Sequence, residues 1–452
     1  MKGSVGFRSD RETPENQPVS RWFQSPSRVL RRVALAWGVL FTIGVVGCDE
    51  AYDPELLYPI RRDWIINAES LEGTPGNINP PGLLPLQILD GRKELLGISN
   101  DFLKARDDGK IVDPRPIVDS SNLGVELMRA LRDLAGRPRF PKIDVDDDSL
   151  NERLAKELKL DRKTLERGSV VYRRNCLHCH GLNGDGKGPT GLWVNPHPRD
   201  FRSGIFKYVS SSQDEGKRKP LREDLRRTLT NGIEGTSMPS FALLPPEDMD
   251  AVISYVIHLS IRGEAEMETL KELILERGQP AGAAEEVEQT PIVERVRSKA
   301  RTAAERWLEA LTSQLMPASQ PDYENDEAKM LEAAARGYKF FTRSDQCVQC
   351  HTNFGRDADL RYDMWGTMVR PRNLTANIYG GGRRPIDFYW RIHLGIRGSG
   401  MPSFAPVNEM DPAVKDAEAR EKTMWDVVAF IRLLPYPEWR AKLSKAHGIF
   451  LD

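Results

Sequence analysis

The chain lacks a marked excess of charge, abundant cysteine and a long apolar run. Its 452 residues carry 65 Lys and Arg against 66 Asp and Glu, which gives a formal net charge of −1 at pH 7. This balance argues against a nucleic-acid or other polyanionic partner. Only five cysteines are present, and the apolar stretch at 33–47 is shorter than the ~20 residues that a membrane-spanning helix needs.

That apolar stretch follows a polar segment with several arginines and ends in Val45-Val46-Gly47-Cys48. A basic region, a short apolar region and small residues before a cleavage point are typical of a secretory signal. The tetrapeptide resembles a bacterial lipoprotein box, which implies a signal peptide over 1–47, lipidation at Cys48 and a lipid anchor in the bilayer. The alternative is an uncleaved transmembrane anchor. In either case we expect the body of the protein at the periplasmic face of the cytoplasmic membrane.

The other four cysteines form two copies of one motif, Cys-x-x-Cys-His, at 176–180 and 347–351. This is the attachment pattern of haem c. Two thiols on one helical turn can reach the two vinyl groups of one porphyrin, and the adjacent histidine then points at the iron. The motifs predict two haem c groups, linked through Cys176 and Cys179 and through Cys347 and Cys350, with His180 and His351 as iron ligands.

Two other uses of such motifs remain as alternatives. A zinc site takes four ligands, and the two cysteine pairs could together supply four sulfurs, but the histidines would then be idle. A thioredoxin-like redox pair expects a βαβ pattern nearby, which the sequence does not contain. If all five cysteines are used as predicted, no free thiol and no disulfide remains.

The sequence around the first motif repeats around the second. Residues 231–241 align without gaps to 394–404 and share Gly, Ile, Gly, Met, Pro, Ser and Phe in that order. Pro198-Arg199 is mirrored by Pro371-Arg372. Before each motif, a glycine and an aromatic residue stand four positions apart, which places them on one face of a predicted helix. After each Met segment, the sequence predicts an apolar helix that carries an aromatic residue.

These repeated features resemble the class I cytochrome c family, which implies a mainly α fold with two tandem domains, 158–262 and 325–440. In that family a Met-Pro segment supplies the distal iron ligand, which points to Met238 and Met401. Core methionines and bis-histidine ligation are the alternatives, and His393 is the strongest histidine candidate. The family also implies that a proline carbonyl, here that of Pro189, accepts a hydrogen bond from His180. No proline follows His351 before Pro371.

Smaller expectations concern the haem surroundings and the rest of the chain. Arg199 and Arg372 could pair with haem propionates or be solvated surface residues. We expect Trp193, Phe241 and Phe404 to bury the haems. Residues 48–157 carry no recognised motif and predict an irregular extension. Residues 263–324 predict a helical linker whose alternating charges face solvent, and 441–452 predict a tail.

The resemblance implies outer-sphere electron transfer by two six-coordinate haem irons, with no catalytic residue and no small-molecule substrate. We expect a membrane-anchored carrier between a quinol-oxidising complex and a terminal oxidase or reductase, with membrane-bound redox complexes as partners. One alternative is a dihaem peroxidase-like enzyme, which needs an open iron position. Another is the electron-accepting subunit of a dehydrogenase.

Overall fold

The computed structural model describes residues 51–63, 65–66, 111–213, 218–277, 290–323, 325–363, 368–404 and 417–451. The predicted signal peptide and Cys48 lie outside these residues. The described chain is mainly helical, which confirms the predicted fold class. Two short antiparallel ladders accompany the helices: β1 (Ile65–Ile66) pairs with β2 (Ile111–Val112), and β3 (Arg361–Tyr362) pairs with β4 (Met368–Val369).

The helices are named in chain order. They are α1 (Arg115–Val118), α2 (Leu123–Ala135), α3 (Asp148–Glu157), α4 (Arg162–Asn175), α5 (Leu177–His180), α6 (Arg222–Asn231), α7 (Pro246–Arg277), α8 (Ile292–Ala310), α9 (Glu327–Phe341), α10 (Pro385–Leu394), α11 (Ala417–Leu433) and α12 (Pro437–His447). The order α4, α6, α7 in the first half is repeated as α9, α10, α11 in the second.

A glycine allows the close helix crossing in each half. On α4, a Cβ built on Gly168 would stand 2.2 Å from the carbonyl oxygen of Ala251 on α7. The repeat-related crossing brings α9 against α11 at Gly337. Helices α4 and α9, the first members of the two crossing pairs, begin after an aspartate, Asp161 or Asp326. The side chain of that aspartate accepts a hydrogen bond from a backbone N–H of the first helical turn. The predicted glycine positions are therefore the crossing points.

Helix α7 continues without a break through the predicted boundary at 262 and extends to Arg277. Its middle is buried on all sides, including charged residues that pair inside the protein. Lys219 contacts Glu264 at 2.6 Å, and Arg262 contacts Glu266 at 2.7 Å. The expectation that the charges of this region face solvent is wrong for Glu264 and Glu266, because both are buried in these ion pairs.

The described part of the predicted irregular extension is more regular than its sequence suggests. Helices α2 and α3 pack on α8, and α2 also contacts α7. The segment 51–63 lies against α7, where the hydroxyl of Tyr58 is 2.8 Å from that of Tyr255. These elements form a layer behind the first half, so α7 is enclosed between α4 on one side and α2 and α8 on another.

One continuous apolar core extends through both halves, including Tyr172 and Tyr255 from the first and Phe341 and Phe430 from the second. The aromatic pairs stand 5.2 Å apart in the first half and 5.5 Å apart in the second, measured between ring centres. Within the described ranges, none of the helices combines the length and the apolar character that crossing a bilayer requires.

Candidate functional site

Each Cys-x-x-Cys-His motif forms a single helical turn. In the first, the backbone N–H groups of Cys179 and His180 donate to the carbonyl oxygen of Cys176 at 3.1 and 2.8 Å. In the second, those of Cys350 and His351 donate to Cys347 at 3.2 and 2.9 Å. None of the four cysteines forms a disulfide. The turn places both thiols and the histidine of each motif on one side, as covalent haem attachment requires.

The two motif histidines are held by equivalent backbone hydrogen bonds. The Nδ1–H of His180 donates to the carbonyl oxygen of Arg199, and that of His351 donates to the carbonyl oxygen of Arg372, each at 3.1 Å. A hydrogen bond at Nδ1 fixes the ring and leaves Nε2 on its far side, the usual arrangement of a metal-ligating histidine.

This finding corrects the expectation for Pro189. The oxygen that accepts the His180 hydrogen bond belongs to Arg199, not to the proline. It also explains why the second half can do without an equivalent proline, since Arg372 provides the oxygen there. The two Pro-Arg pairs in the sequence therefore contain the residues whose backbone carbonyl oxygens hold the motif histidines.

Burial keeps the first motif uncharged. Removal from solvent lowers the pKa of His180 to about 4, and the imidazole is therefore neutral at physiological pH. Burial also raises the pKa of the Cys176 thiol to about 12, and that of Cys347 in the second motif to about 12. A neutral imidazole has the nitrogen lone pair that iron binds, whereas an imidazolium has none.

The two Met segments have the same hydrogen bonds. Ile233 N–H donates to the carbonyl oxygen of Met238 at 3.1 Å, and Ile396 N–H donates to that of Met401 at 2.9 Å. In both segments the phenylalanine that follows also ties the loop to the preceding helix: Phe241 N–H donates to Leu229, and Phe404 N–H donates to Ile392. The sequence repeat is therefore a repeat of loop conformation.

The shared glycine at the start of each loop is needed for its conformation. Gly232 has φ +67° and Gly395 has φ +70°, a region that favours glycine. A Cβ at either position would stand 2.7 Å from the carbonyl oxygen of the loop methionine, Met238 or Met401. The turn thus folds back tightly against the backbone of the methionine.

Sequence reasoning missed a pair of buried aspartates that start the helices before these loops. Asp224 Oδ2 accepts a hydrogen bond from the backbone N–H of Leu221, and Asp387 Oδ2 accepts one from Arg384, each at 3.0 Å. Arg227 lies 2.7 Å from Asp224 and 3.5 Å from Asp387, so it joins the two helices. The signal was available, since each aspartate precedes its loop glycine by the same spacing.

Both motifs and both methionines line one continuous chamber of about 880 Å³. This volume falls in the range of about 300–1,000 Å³ that is usual for cofactor sites. Its walls are largely apolar and include Leu225, Ile253, Phe388 and Val427. Paired thiols on a helical turn, a neutral histidine, a facing methionine and apolar walls fit the donor set and the flat apolar ring of haem c.

The predicted aromatic cover is correct in part. Phe241 and Phe404 line the chamber and pack against the core. Trp193 does not bury anything, because it is 86% exposed. It belongs to a short 3₁₀ turn at Gly191–Trp193 that directs the indole outward, away from the chamber.

Among His197, His258 and His393, only His197 lines the chamber together with the two methionines. His393 lies outside the residues that line the chamber and packs 5.5 Å from the Tyr389 ring. His258 also lies outside it, and its Nε2 is 2.9 Å from the carbonyl oxygen of Ala135. His197 lines the chamber, with its Nδ1 3.0 Å from the carbonyl oxygen of Gly191. Over the described ranges, no three or more His, Cys, Asp or Glu residues are grouped to hold a metal ion directly.

Residues 165–260 match the family model of cytochrome c. The match includes the first Cys-x-x-Cys-His motif, the Met238 loop and the crossing of α4 with α7. The chain therefore contains a cytochrome c domain, and haem c is its expected cofactor.

Comparison with solved structures finds a likeness to a chain of the reducing HAO-like protein complex of Kuenenia stuttgartiensis. The two chains are 22% identical, and the match covers 60% of this chain and 96% of that one with a TM-score of 0.40. No curated protein matches the chain.

Proposed function

We propose that the chain is a dihaem c-type cytochrome that carries single electrons outside the cytoplasm. The observation that supports it best is that the second site repeats the main backbone hydrogen bonds of the first. The histidine bonds, the Met-loop hydrogen bonds and the glycine crossing recur between 165–260, which match cytochrome c, and the second half. The recurrence of these features suggests the same ligand.

In this proposal each half would attach one haem and supply two ligands of its iron. Cys176 and Cys179 would hold the first haem covalently, and His180 and Met238 would bind its iron. In the second half, Cys347 and Cys350 would attach the haem, and His351 and Met401 would bind the iron. The bound iron porphyrin supplies the one-electron chemistry by changing between ferrous and ferric states.

The protein's own contribution is to fix and shield the ligands. The carbonyl oxygens of Arg199 and Arg372 hold the histidine rings, and the glycine turns hold the methionines. Apolar walls exclude water, which favours the less charged ferrous state. A thioether ligand raises the reduction potential further. Such a site passes electrons without binding a substrate at the iron.

The shared chamber favours direct exchange between the two haems. Cys179 and His180 of the first motif and Cys350 and His351 of the second border the same cavity. Haems held by the two motifs would border one apolar space, which would allow an electron to pass between them. This arrangement suits a relay between two partners that dock at different surfaces.

The proposed partners are membrane-bound redox complexes, with Cys48 acylated at the periplasmic face of the cytoplasmic membrane. The support for this part is the sequence at 33–48 alone. Metabolic labelling with palmitate should mark the parent protein but not a Cys48→Ser variant, and labelling of neither would overturn this part of the proposal. Affinity purification from detergent-solubilised membranes should then recover a quinol-oxidising complex or a terminal oxidase or reductase.

The test that separates a carrier from an enzyme is carbon monoxide binding to the reduced holoprotein at neutral pH. Iron with both axial positions filled by protein ligands predicts an unchanged absorption spectrum. Stoichiometric binding of carbon monoxide to either haem would overturn the carrier assignment and favour a peroxidase-like enzyme. The same sample gives the haem content, so a failure of attachment is distinguished from an open iron site.

A further inference from the structure

The backbone of Arg372 lies in the second site, whereas its side chain lies beside the first. Its carbonyl oxygen accepts the hydrogen bond of His351. Its guanidinium lies beside the loop that carries Met238: a Cβ built on Gly235 would be 2.9 Å from Arg372 Nη1. Burial raises the pKa of Glu234, but hydrogen bonds from Arg383 and Tyr379 and the charges of Arg383 and Arg372 outweigh it, so the pKa lies below its usual value. One residue therefore contacts both halves of the chamber.

The chamber around this side chain is rich in cations. Among its described lining residues only Asp345 is acidic, whereas the basic ones are Arg174, Arg199, Lys207, Arg370, Arg372 and Arg391. Within the described ranges, the half-buried guanidinium of Arg372 makes no hydrogen bond or ion pair. A cation removed from water is costly unless an anion or acceptor satisfies it. The lining thus favours an anionic ligand.

The anionic groups of a haem are its propionate carboxylates. Arginine binds carboxylates in a bidentate geometry that lysine cannot reproduce. We propose that Arg372 is a positioning residue for the haem attached at Cys176 and Cys179: its guanidinium binds a propionate of that haem, across the boundary between the halves. The inference rests on the proposed function, because it requires a haem in each half.

A cation at this position stabilises the ferrous state, which carries one positive charge less at the iron than the ferric state. For charges about 10 Å apart at an effective dielectric constant of about 20, one cation changes the ferrous-to-ferric ratio about tenfold. Removing the charge should therefore lower the midpoint potential of the first haem by about 59 mV for a one-electron couple. The second haem, whose histidine bond uses only the Arg372 backbone, should change little.

The experiment is a potentiometric titration of the holoprotein and of Arg372→Gln. The two midpoints are assigned with Met238→His and Met401→His, each of which should remove one sulfur-to-iron absorption band and move one midpoint. Arg372→Lys keeps the charge and should recover most of the shift. Arg370→Gln is the matched control: it removes the same charge from an exposed neighbour that also borders the chamber, and its effect should stay below about threefold.

A tenfold change at the first haem alone, recovered by lysine, supports the proposal. A shift of the second haem alone, no shift of either, or an equal shift in Arg370→Gln would overturn it. Haem content is measured on every sample. If the parent protein holds fewer than two haems per chain, the proposed function itself fails, and that outcome is distinct from a misassigned arginine.

Discussion

Gly337 lies against the backbone of Asp426 so closely that a Cβ on the glycine would stand 2.0 Å from the aspartate's carbonyl oxygen. The contact is the crossing of α9 with α11, beside the edge-to-face pair Phe341 and Phe430. Because the obstructing atoms are backbone, no side chain can move aside. The second half depends on this glycine as the first depends on Gly168.

The first prediction is that Gly337→Ala destabilises the protein by about 1–3 kcal/mol, the usual cost of overpacking a core. The free energy of unfolding from urea denaturation of the holoprotein measures it. Lys339→Ala is the matched control on an exposed face of the same helix and should stay within about 0.5 kcal/mol of the parent. Equal effects of the two substitutions would contradict the close crossing.

The second prediction concerns His258, a buried histidine on α7 between Tyr58 and Tyr255. Burial lowers its pKa from 6.5 to about 4, so the unfolded chain takes up a proton that the folded protein resists. The contribution of His258 to the free energy of unfolding is therefore fully present above pH 6.5 and is lost as the pH falls towards about 4. The slope from this residue approaches about 1.4 kcal/mol per pH unit.

Urea denaturation at several pH values from 7 to 4 measures this slope. His258→Gln should flatten the profile over that window, whatever its effect on stability at neutral pH. His447→Gln, at an exposed position in α12, should leave the slope as it is. An unchanged slope in His258→Gln would show that other groups govern the pH response.

The third prediction concerns the buried helix start before the Met401 loop. Asp387→Asn removes the charge that pairs with Arg384 at 2.8 Å and lies 3.5 Å from Arg227. Because hydrogen bonds to a charged group are stronger than neutral ones, we expect a loss of about 2 kcal/mol. Asp359→Asn, at an exposed position, is the control. Thermal unfolding of both variants decides whether Asp387 stabilises this region.

The fourth prediction concerns the methionine ligands. If both are iron ligands as proposed, Met238→Ala and Met401→Ala should each remove half of the sulfur-to-iron absorption of the ferric protein and lower one midpoint potential, because each variant removes one soft thioether. The double variant should lose the band entirely. Carbon monoxide should bind the reduced single variants at one haem only. A band that survives in the double variant would assign the distal ligands elsewhere.

The features of the site that the sequence reveals are those that depend on residue type. The Cys-x-x-Cys-His motifs, the repeated Met segments and the glycine crossings all depend on particular side chains, or on the absence of one, at fixed spacing. The mainly α fold followed from the same repeat. Two copies in one chain made each signal easier to recognise.

What sequence could not predict depends on backbone atoms and on distant contacts. Every residue has a carbonyl oxygen, so nothing marked those of Arg199 and Arg372 as the histidine acceptors. The burial of Glu264 and Glu266 depends on partners that the sequence pattern of α7 does not show. Trp193 looked like haem cover because it is large and apolar, but its local turn directs it to solvent.

The most direct measurement is the number of covalent haems per chain, from the intact mass and the pyridine haemochrome spectrum of the purified protein. The account predicts two haems in the parent and one in Cys347→Ser/Cys350→Ser, with the remaining haem keeping its sulfur-to-iron band. A parent protein with a single haem, or a double variant that loses none, would contradict it.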